Sequence, residues 1–284
     1  MKVQLSQPSI ATAEALPDMV ALLDRVFPSS RPRAPDLEWQ YLRNPAGPAR
    51  YVNAYTDGGR LVAHYAVLPT PPLAEPPAHF TGTYFSLNTA VDPAAGIPGL
   101  MVATARALFR QLEEEGPTLV LGVANENSFQ GFVRVLRFHH LGRLSLTFHS
   151  PGTTPAVRAP RALATDTSYL AWRAARPGVR AYAEPSRGLM TVRLHHHGVP
   201  IDAVLSAGLS TEMVRALRLP RPAMWVPRLY ASYGLPVGGL PVPDRLRPSP
   251  LEYIVRVLGE NVSVESISRH LITRRFEFLD FDVV

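Results

Sequence analysis

With 284 residues the chain can hold one large domain or two smaller ones and bury a sizeable core. Its 46% apolar and 18% charged residues suit an ordinary globular protein and exclude a disordered one. The net charge of +6 rests on scattered arginines, Lys2 being the only lysine, so no basic run points to nucleic acid.

There is no cysteine, which excludes disulfides, thiolate metal sites and a cysteine nucleophile. The N-terminus lacks a basic segment followed by an apolar one, and no apolar run reaches membrane-spanning length. A cytoplasmic protein that engages neither membrane nor nucleic acid is the expectation.

Residues 1–10 read weakly as a first strand. A helix is expected over Glu14–Phe27, where Glu14, Pro17 and Asp18 are starting signals and Met19, Leu22, Leu23 and Val26 form an apolar stripe. A short helix follows over Asp36–Arg43, closed by Asn44-Pro45. Ala49–Tyr55 and Arg60–Leu68 read as strands around Asp57-Gly58-Gly59, a hairpin signal.

The pattern is clearest from Thr83 to Asn127. Thr83–Val91 is a strand rich in β-branched and aromatic residues, stopped by Asp92-Pro93. Leu100, Ala103, Leu108 and Leu112 fall at helical spacing, and Gly116-Pro117 ends the helix. Thr118–Val123 is the short apolar run of a strand covered on both faces. The unit is therefore a β-loop-α-β crossover. Gly96 and Gly99 lie where strand passes to helix, with Pro98 expected to open the helix. Backbone N–H groups and the positive end of the helix dipole there suit a phosphate, although two glycines also make an ordinary turn.

Beyond Asn125 a helix is expected to Leu136, then a strand over Phe138–Phe148. Ser150–Arg161 reads as a linker, low in large apolar residues. The division is thus 1–149, a linker at 150–161, and a second lobe at 162–284. That lobe echoes the first: Leu37-Glu38-Trp39 with Pro45 and Gly47 is matched by Leu170-Ala171-Trp172 with Pro177-Gly178 and two further strands. A genuine repeat and a chance echo of a few positions both remain open at this stage. Leu251–Leu258 and Arg275–Val284 read as strands.

Residues 10–145 resemble the GCN5-related N-acetyltransferase (GNAT) superfamily. The resemblance lies in the order of elements and in phrases: Leu37-Glu38-Trp39 through Asn44-Pro45, the Asp57-Gly58-Gly59 hairpin, Thr89-Ala90-Val91-Asp92-Pro93, and Asn125-Glu126-Asn127-Ser128. It implies an α/β fold with a mixed, mostly antiparallel sheet flanked by helices. The second, smaller α+β lobe would be a degenerate copy or a cover.

The resemblance also implies acetyl-CoA, or another acyl-CoA, as co-substrate and a small-molecule primary amine as acceptor, with no metal. Thr89, Ala90 and Val91 would hold the pantetheine, Gly96, Ile97, Gly99 and Leu100 the pyrophosphate, and Asn125 would face the cofactor. The family loop runs Gln/Arg-x-x-Gly-x-Gly/Ala, whereas Pro93–Gly99 lacks the leading residue and spaces its glycines three apart. Pro98 also removes one N–H donor. In the family a tyrosine on the helix after the fifth strand protonates the leaving thiolate; here Phe129, Phe132 and Val133 stand nearby, none a proton donor. Tyr84 or a bound water would take its place.

Of the carboxylates, Asp92 reads as a turn former and Glu126 as a first-turn helix acid. Asp280 and Asp282 alternate onto one face of a strand, and Asp282 is the candidate base. Arginines around the site would favour an anionic acceptor. His195-His196-His197 invites a metal, but only alternate residues of a strand converge and no third ligand is apparent. The competing reading is a catalytically silent GNAT-fold module that binds a ligand or a partner.

Overall fold

The structure, a computed structural model, describes residues 2–28, 33–153, 155, 159–196, 198–223, 225–233, 238–247, 249–259 and 262–280. The first lobe holds strands β1 (Val3–Leu5), β2 (Ser9–Ile10), β3 (Arg50–Thr56), β4 (Leu61–Pro69), β5 (Gly82–Val91), β6 (Thr118–Ala124) and β7 (His139–Arg143). Its helices are α1 (Leu16–Val26), α2 (Ala34–Leu37, extended by a π turn to Leu42), α3 (Leu100–Glu114) and α4 (Glu126–Gln130, with a π turn to Val135).

Strand β8 (Ser145–His149) follows, then α5 (Thr167–Ala174), β9 (Arg180–Glu184), β10 (Leu189–His196), β11 (Val199–Ser206), α6 (Thr211–Ala216) and β12 (Arg228–Tyr233). The chain ends through β13 (Leu240–Pro241), β14 (Glu252–Leu258), α7 (Val264–Ile272) and β15 (Phe276–Glu277). No helix among the described residues is long and apolar enough to cross a membrane.

The described strands make two sheets, ordered β1-β3-β4-β5-β6-β14-β7 and β9-β10-β11-β12-β8-β13. In each, an antiparallel run meets one parallel pair, β5/β6 or β11/β12, joined by a helical crossover. The sheets exchange a strand. β14, late in the chain, pairs with β6 and β7, and β8, from before the expected linker, pairs with β12 and β13.

The division expected at 150–161 therefore does not coincide with the sheets. The single strand expected over Phe138–Phe148 is two strands in different sheets. The break falls at Leu144, whose side chain is fully buried and whose N–H bonds Leu251 O at 2.9 Å. Gly142, at φ +144° beside a register shift against β14, turns the strand out of the first sheet.

The echo read in the sequence is a structural repeat. Trp39 and Trp172, the matched positions of the echo, stack at 4.7 Å and 16°. Each indole N–H donates to the other residue's carbonyl, at 2.8 and 3.0 Å, so both buried polar atoms are satisfied by the symmetric contact. Alternation along the strands gives the first sheet two faces. Val52, Tyr65, Val67, Val120 and Ile254 face α3. Ala66, Leu68, Phe85, Leu87, Leu119 and Val255 face α1, α2 and the second lobe, in one core continuous with Leu170, Ala203, Leu205 and Phe276.

Candidate functional site: a cleft between two parted strands

Strands β5 and β6 pair in parallel from Gly82↔Thr118 to Ser86↔Gly122, and there the ladder stops. Strand β5 continues to Val91 on β4, while β6 continues to Ala124 on β14. The cause is an extra residue in β5. Ala66 of β4 faces Leu87 and His64 faces Ala90, so Asn88 and Thr89 together oppose Tyr65. Asn88 sits at φ +49°, which asparagine tolerates better than most residues. Such a bulge bends its strand. At the apex Gly122 packs closely, since an added Cβ would lie 3.2 Å from Ile254 Cγ1. The result is an unpaired strand edge inside a sheet, a template for an extended, amide-bearing ligand.

The open end of this V meets the loop before α3. Asp92 accepts a bond from Ala94 N at 2.9 Å and lies 3.4 and 3.6 Å from Arg25 and Arg60. Its carboxylate is thus a turn former, as its position beside Pro93 predicts. Gly96 and Gly99 both adopt left-handed backbone, φ +62° and +79°. Gly99 caps α3, its carbonyl accepting from Ala103 N at 2.9 Å. The helix begins at Leu100, so Pro98 stands in the preceding turn and does not open it. The left-handed Gly99 has taken that junction. No side chain caps this end, and the first-turn N–H groups lack intrahelical acceptors. A Cβ added at Gly96 or Gly99 would meet nothing within 4 Å, so the loop's outer face is open.

The cleft encloses about 800 Å³. Val26 of α1 and Phe27 just beyond it, Leu87 to Thr89 and Val91 of β5, Met101, Val123, Asn125, Phe132 and Ile254 line it. No charged side chain stands among its described lining residues; Arg25 and Arg60 lie outside it, beside Asp92. At its apex Tyr65 Oη, buried and held well above the usual tyrosine range by desolvation, donates to Ser86 Oγ at 2.9 Å.

Of the residues singled out from the sequence, Thr89, Val91 and Asn125 line the cleft. Ala90 is buried opposite His64 and can serve through its main chain only. Gly96, Ile97 and Gly99 form the loop at the mouth. Leu100 buries its side chain against Ala54, Val62 and Ala95. Asn125 also caps α4, its Oδ1 accepting from Ser128 N at 3.0 Å. Phe132 stands in the cleft wall and has no proton to donate.

Tyr84 is not brought to the cleft. It pairs with Val120, two residues before the strands part, and lines a separate cavity of about 860 Å³ with Arg50, Gln111 and Glu115. Asp282 lies outside the described residues.

The sequence reading missed the group behind the bulge. Asn88 Nδ2 donates to Gln40 Oε1 at 2.7 Å and to Tyr41 Oη at 3.1 Å. Tyr41 Oη lies 2.9 Å from His64 Nε2, and His64 Nδ1 lies 2.7 Å from Asn53 Oδ1. Tyr41 and His64 are fully buried. Burial pushes the imidazole down to about 3, so it stays neutral, and raises Tyr41. The available signal was polarity out of place: a histidine inside the largely apolar run Leu61–Leu68.

The second lobe repeats the parting and fills it. Strands β11 and β12 pair only from Asp202↔Arg228 to Val204↔Tyr230, after which β15 takes the gap, with Ser232↔Glu277 and Tyr233↔Phe276. Glu277 is fully buried and accepts from Ser206 Oγ at 2.7 Å, Arg275 Nη1 at 2.9 Å, Arg161 and Tyr230. Asp280 bonds Arg161 and the Glu277 N–H, and burial raises its carboxyl above the usual range. It belongs to this cluster and not to an open strand face.

No protein-family model matches the chain, and no curated protein matches it. Solved structures do match its fold. A conserved protein of Enterococcus faecalis V583, named a probable N-acyltransferase, aligns with a TM-score of 0.56 at 10% identity over 91% of this chain and 73% of its own. Eis1 of Mycobacterium abscessus aligns at 0.52 and 13% identity, over 90% and 73%. A tandem GNAT protein of the clavulanic acid biosynthesis pathway aligns at 0.50 and 12%, over 92% of this chain and 100% of its own. The fold is that of the two-lobed GNAT proteins.

Proposed function

We propose that the chain transfers an acyl group, acetyl in the simplest case, from acyl-CoA to a primary amine by direct attack. One observation carries this reading: the unpaired edge of β5 opens at one end onto a helix start whose N–H groups are uncapped. A pantetheine arm carries amides at strand-like spacing and would add to that edge beside Thr89 to Val91. Its pyrophosphate would meet the N–H groups of the Gly96–Leu100 loop and the positive end of α3. With the thioester held at the apex, the amine attacks the carbonyl carbon as the C–S bond breaks. Proximity and orientation then supply much of the rate.

Calorimetric titration with acetyl-CoA tests the binding half, with one site per chain expected and Gly96→Arg abolishing uptake. Thiol release over a panel of amines tests the transfer half. The role expected of Asp282 is checked in the same assay: Asp282→Asn should lower kcat and leave acetyl-CoA affinity unchanged. A second reading, a silent binder, is favoured by Phe132 standing where a proton donor would be. Binding of acetyl-CoA without thiol release for any amine would select it.

A further inference from the structure

The orientation of the Asn88 amide follows from the buried chain behind it. Asn53 Oδ1 can only accept, so His64 Nδ1 carries the proton of the neutral ring and Nε2 is left as an acceptor. Tyr41 Oη therefore donates its proton to His64 Nε2 and has only lone pairs for Asn88. The group facing Tyr41 must then be the Asn88 NH₂, whose second hydrogen goes to Gln40 Oε1. Among the described residues Asn88 Oδ1 accepts no hydrogen bond, and Asn88 lines the cleft.

The position selects what meets that oxygen. The α3 face of the first sheet is closed by α3 and Phe132 and carries the pyrophosphate loop. Asn88 turns toward α2, the opposite face, where Val26, Phe27 and Leu87 form the cleft wall. A cofactor entering along the loop leaves this side to the acceptor.

We infer that Asn88 Oδ1 is the binding residue for the attacking nitrogen, accepting an N–H bond from the uncharged amine and so aiming its lone pair at the thioester carbon. Tyr41 and His64 are positioning residues that keep the amide from turning over. This rests on the acyl-transfer reading. The nitrogen pair forms the C–N bond, the C–S pair leaves with sulfur, and the surplus N–H proton ends on the released thiol, giving amide and CoA-SH.

O-methylhydroxylamine is a suitable probe, being small, uncharged at neutral pH and able to donate through nitrogen only. Wild type should accelerate its acetylation by acetyl-CoA. Asn88→Gly keeps the left-handed backbone and removes the amide, and should lower kcat/KM for the probe about tenfold, the loss of one hydrogen bond. Acetyl-CoA affinity should stay within about twofold. Tyr41→Phe should lower the same constant less, again with unchanged acetyl-CoA affinity, a split that general loosening of the site would not give. A rate for Asn88→Gly within twofold of wild type, or a fall in acetyl-CoA affinity matching the fall in rate, overturns the placement of Asn88 alone. Wild type that binds acetyl-CoA but releases thiol with neither this probe nor any amine of the panel rejects the transferase reading, and this inference with it.

Discussion

The two lobes solve one structural problem in opposite ways. Each parts its parallel strands beside a bulge, at Asn88 and Thr89 in β5 and at Leu205 in β11. Each therefore exposes a row of main-chain groups in the middle of a sheet, which are costly to bury unmatched. The second lobe supplies its own third strand, β15, and anchors it with Glu277. The first leaves the gap open and spends buried polar residues on holding Asn88 in place.

The helix starts differ in the same sense. Ser210 caps α6 with its hydroxyl on Met213 N, consuming a donor, whereas Gly99 caps α3 with no side chain. The lesson is that this scaffold yields a binding cleft only where the chain declines to satisfy itself.

The strongest way to break the comparison is to unseat the plug. Glu277→Ala leaves Arg161 and Arg275 buried beside an empty site, and removing one partner of such a group costs about 3–5 kcal/mol. Urea unfolding should register that loss, while Thr89→Ala at the open cleft should cost under about 0.5 kcal/mol. Equal losses would show that the two gaps are not filled differently.

The Trp39–Trp172 contact tests whether the lobes stand as one body. Trp39→Phe leaves the buried Trp172 carbonyl without its indole donor and should cost about 2 kcal/mol. Trp172→Phe should cost a similar amount. The double variant should lose less than the sum, because the two bonds share one stack. Strict additivity in a double-mutant cycle would refute coupling through this pair.

A pH titration separates the lobes again. His64, ordinarily near 6.5 and pushed down to about 3 by burial, binds a proton in the unfolded chain before it can in the folded one. Its contribution is present above pH 6.5 and falls as pH drops from there toward 3. Between pH 7.5 and 5 that amounts to about 2 kcal/mol. His64→Asn should flatten the stability curve by that amount relative to wild type. An unchanged slope would mean that the imidazole is not held neutral.

Much of this fold was legible in the sequence because its signals are local. The strand–loop–helix–strand unit, the hairpin at Asp57-Gly58-Gly59 and the Leu-x-Trp echo all follow from periodicity and turn chemistry. The strand exchange was not legible, since nothing in Ser145–His149 or Glu252–Leu258 says which sheet each joins; pairing across a hundred residues is decided by the shared core. The cleft was half legible: Gly96 and Gly99 drew notice where strand passes to helix and Thr89 through the family resemblance, but neither route pointed to Asn88. Its meaning depends on Gln40, Tyr41 and His64, remote in sequence and joined to it by folding. Tyr84 was misplaced for the converse reason. A strand's side chains can be assigned to faces from sequence, but the point where two strands separate cannot.

The smallest effects fall at the two helix caps. Ser210→Ala removes the hydroxyl that receives Met213 N, and Gly99→Ala forces a Cβ into left-handed backbone at φ +79°. Each should cost about 1 kcal/mol in unfolding experiments, the first as a lost cap and the second as backbone strain. Stability alone would not tell them apart. Acetyl-CoA affinity should: Ser210→Ala leaves it unchanged, because no residue of α6 lines the cleft. Gly99→Ala lowers it several-fold, because relief of the strain re-aims the donors at the start of α3. Matching affinities for the two variants would mean that the uncapped helix start takes no part in binding, and the division of labour between the lobes would have to rest on the strand gap alone.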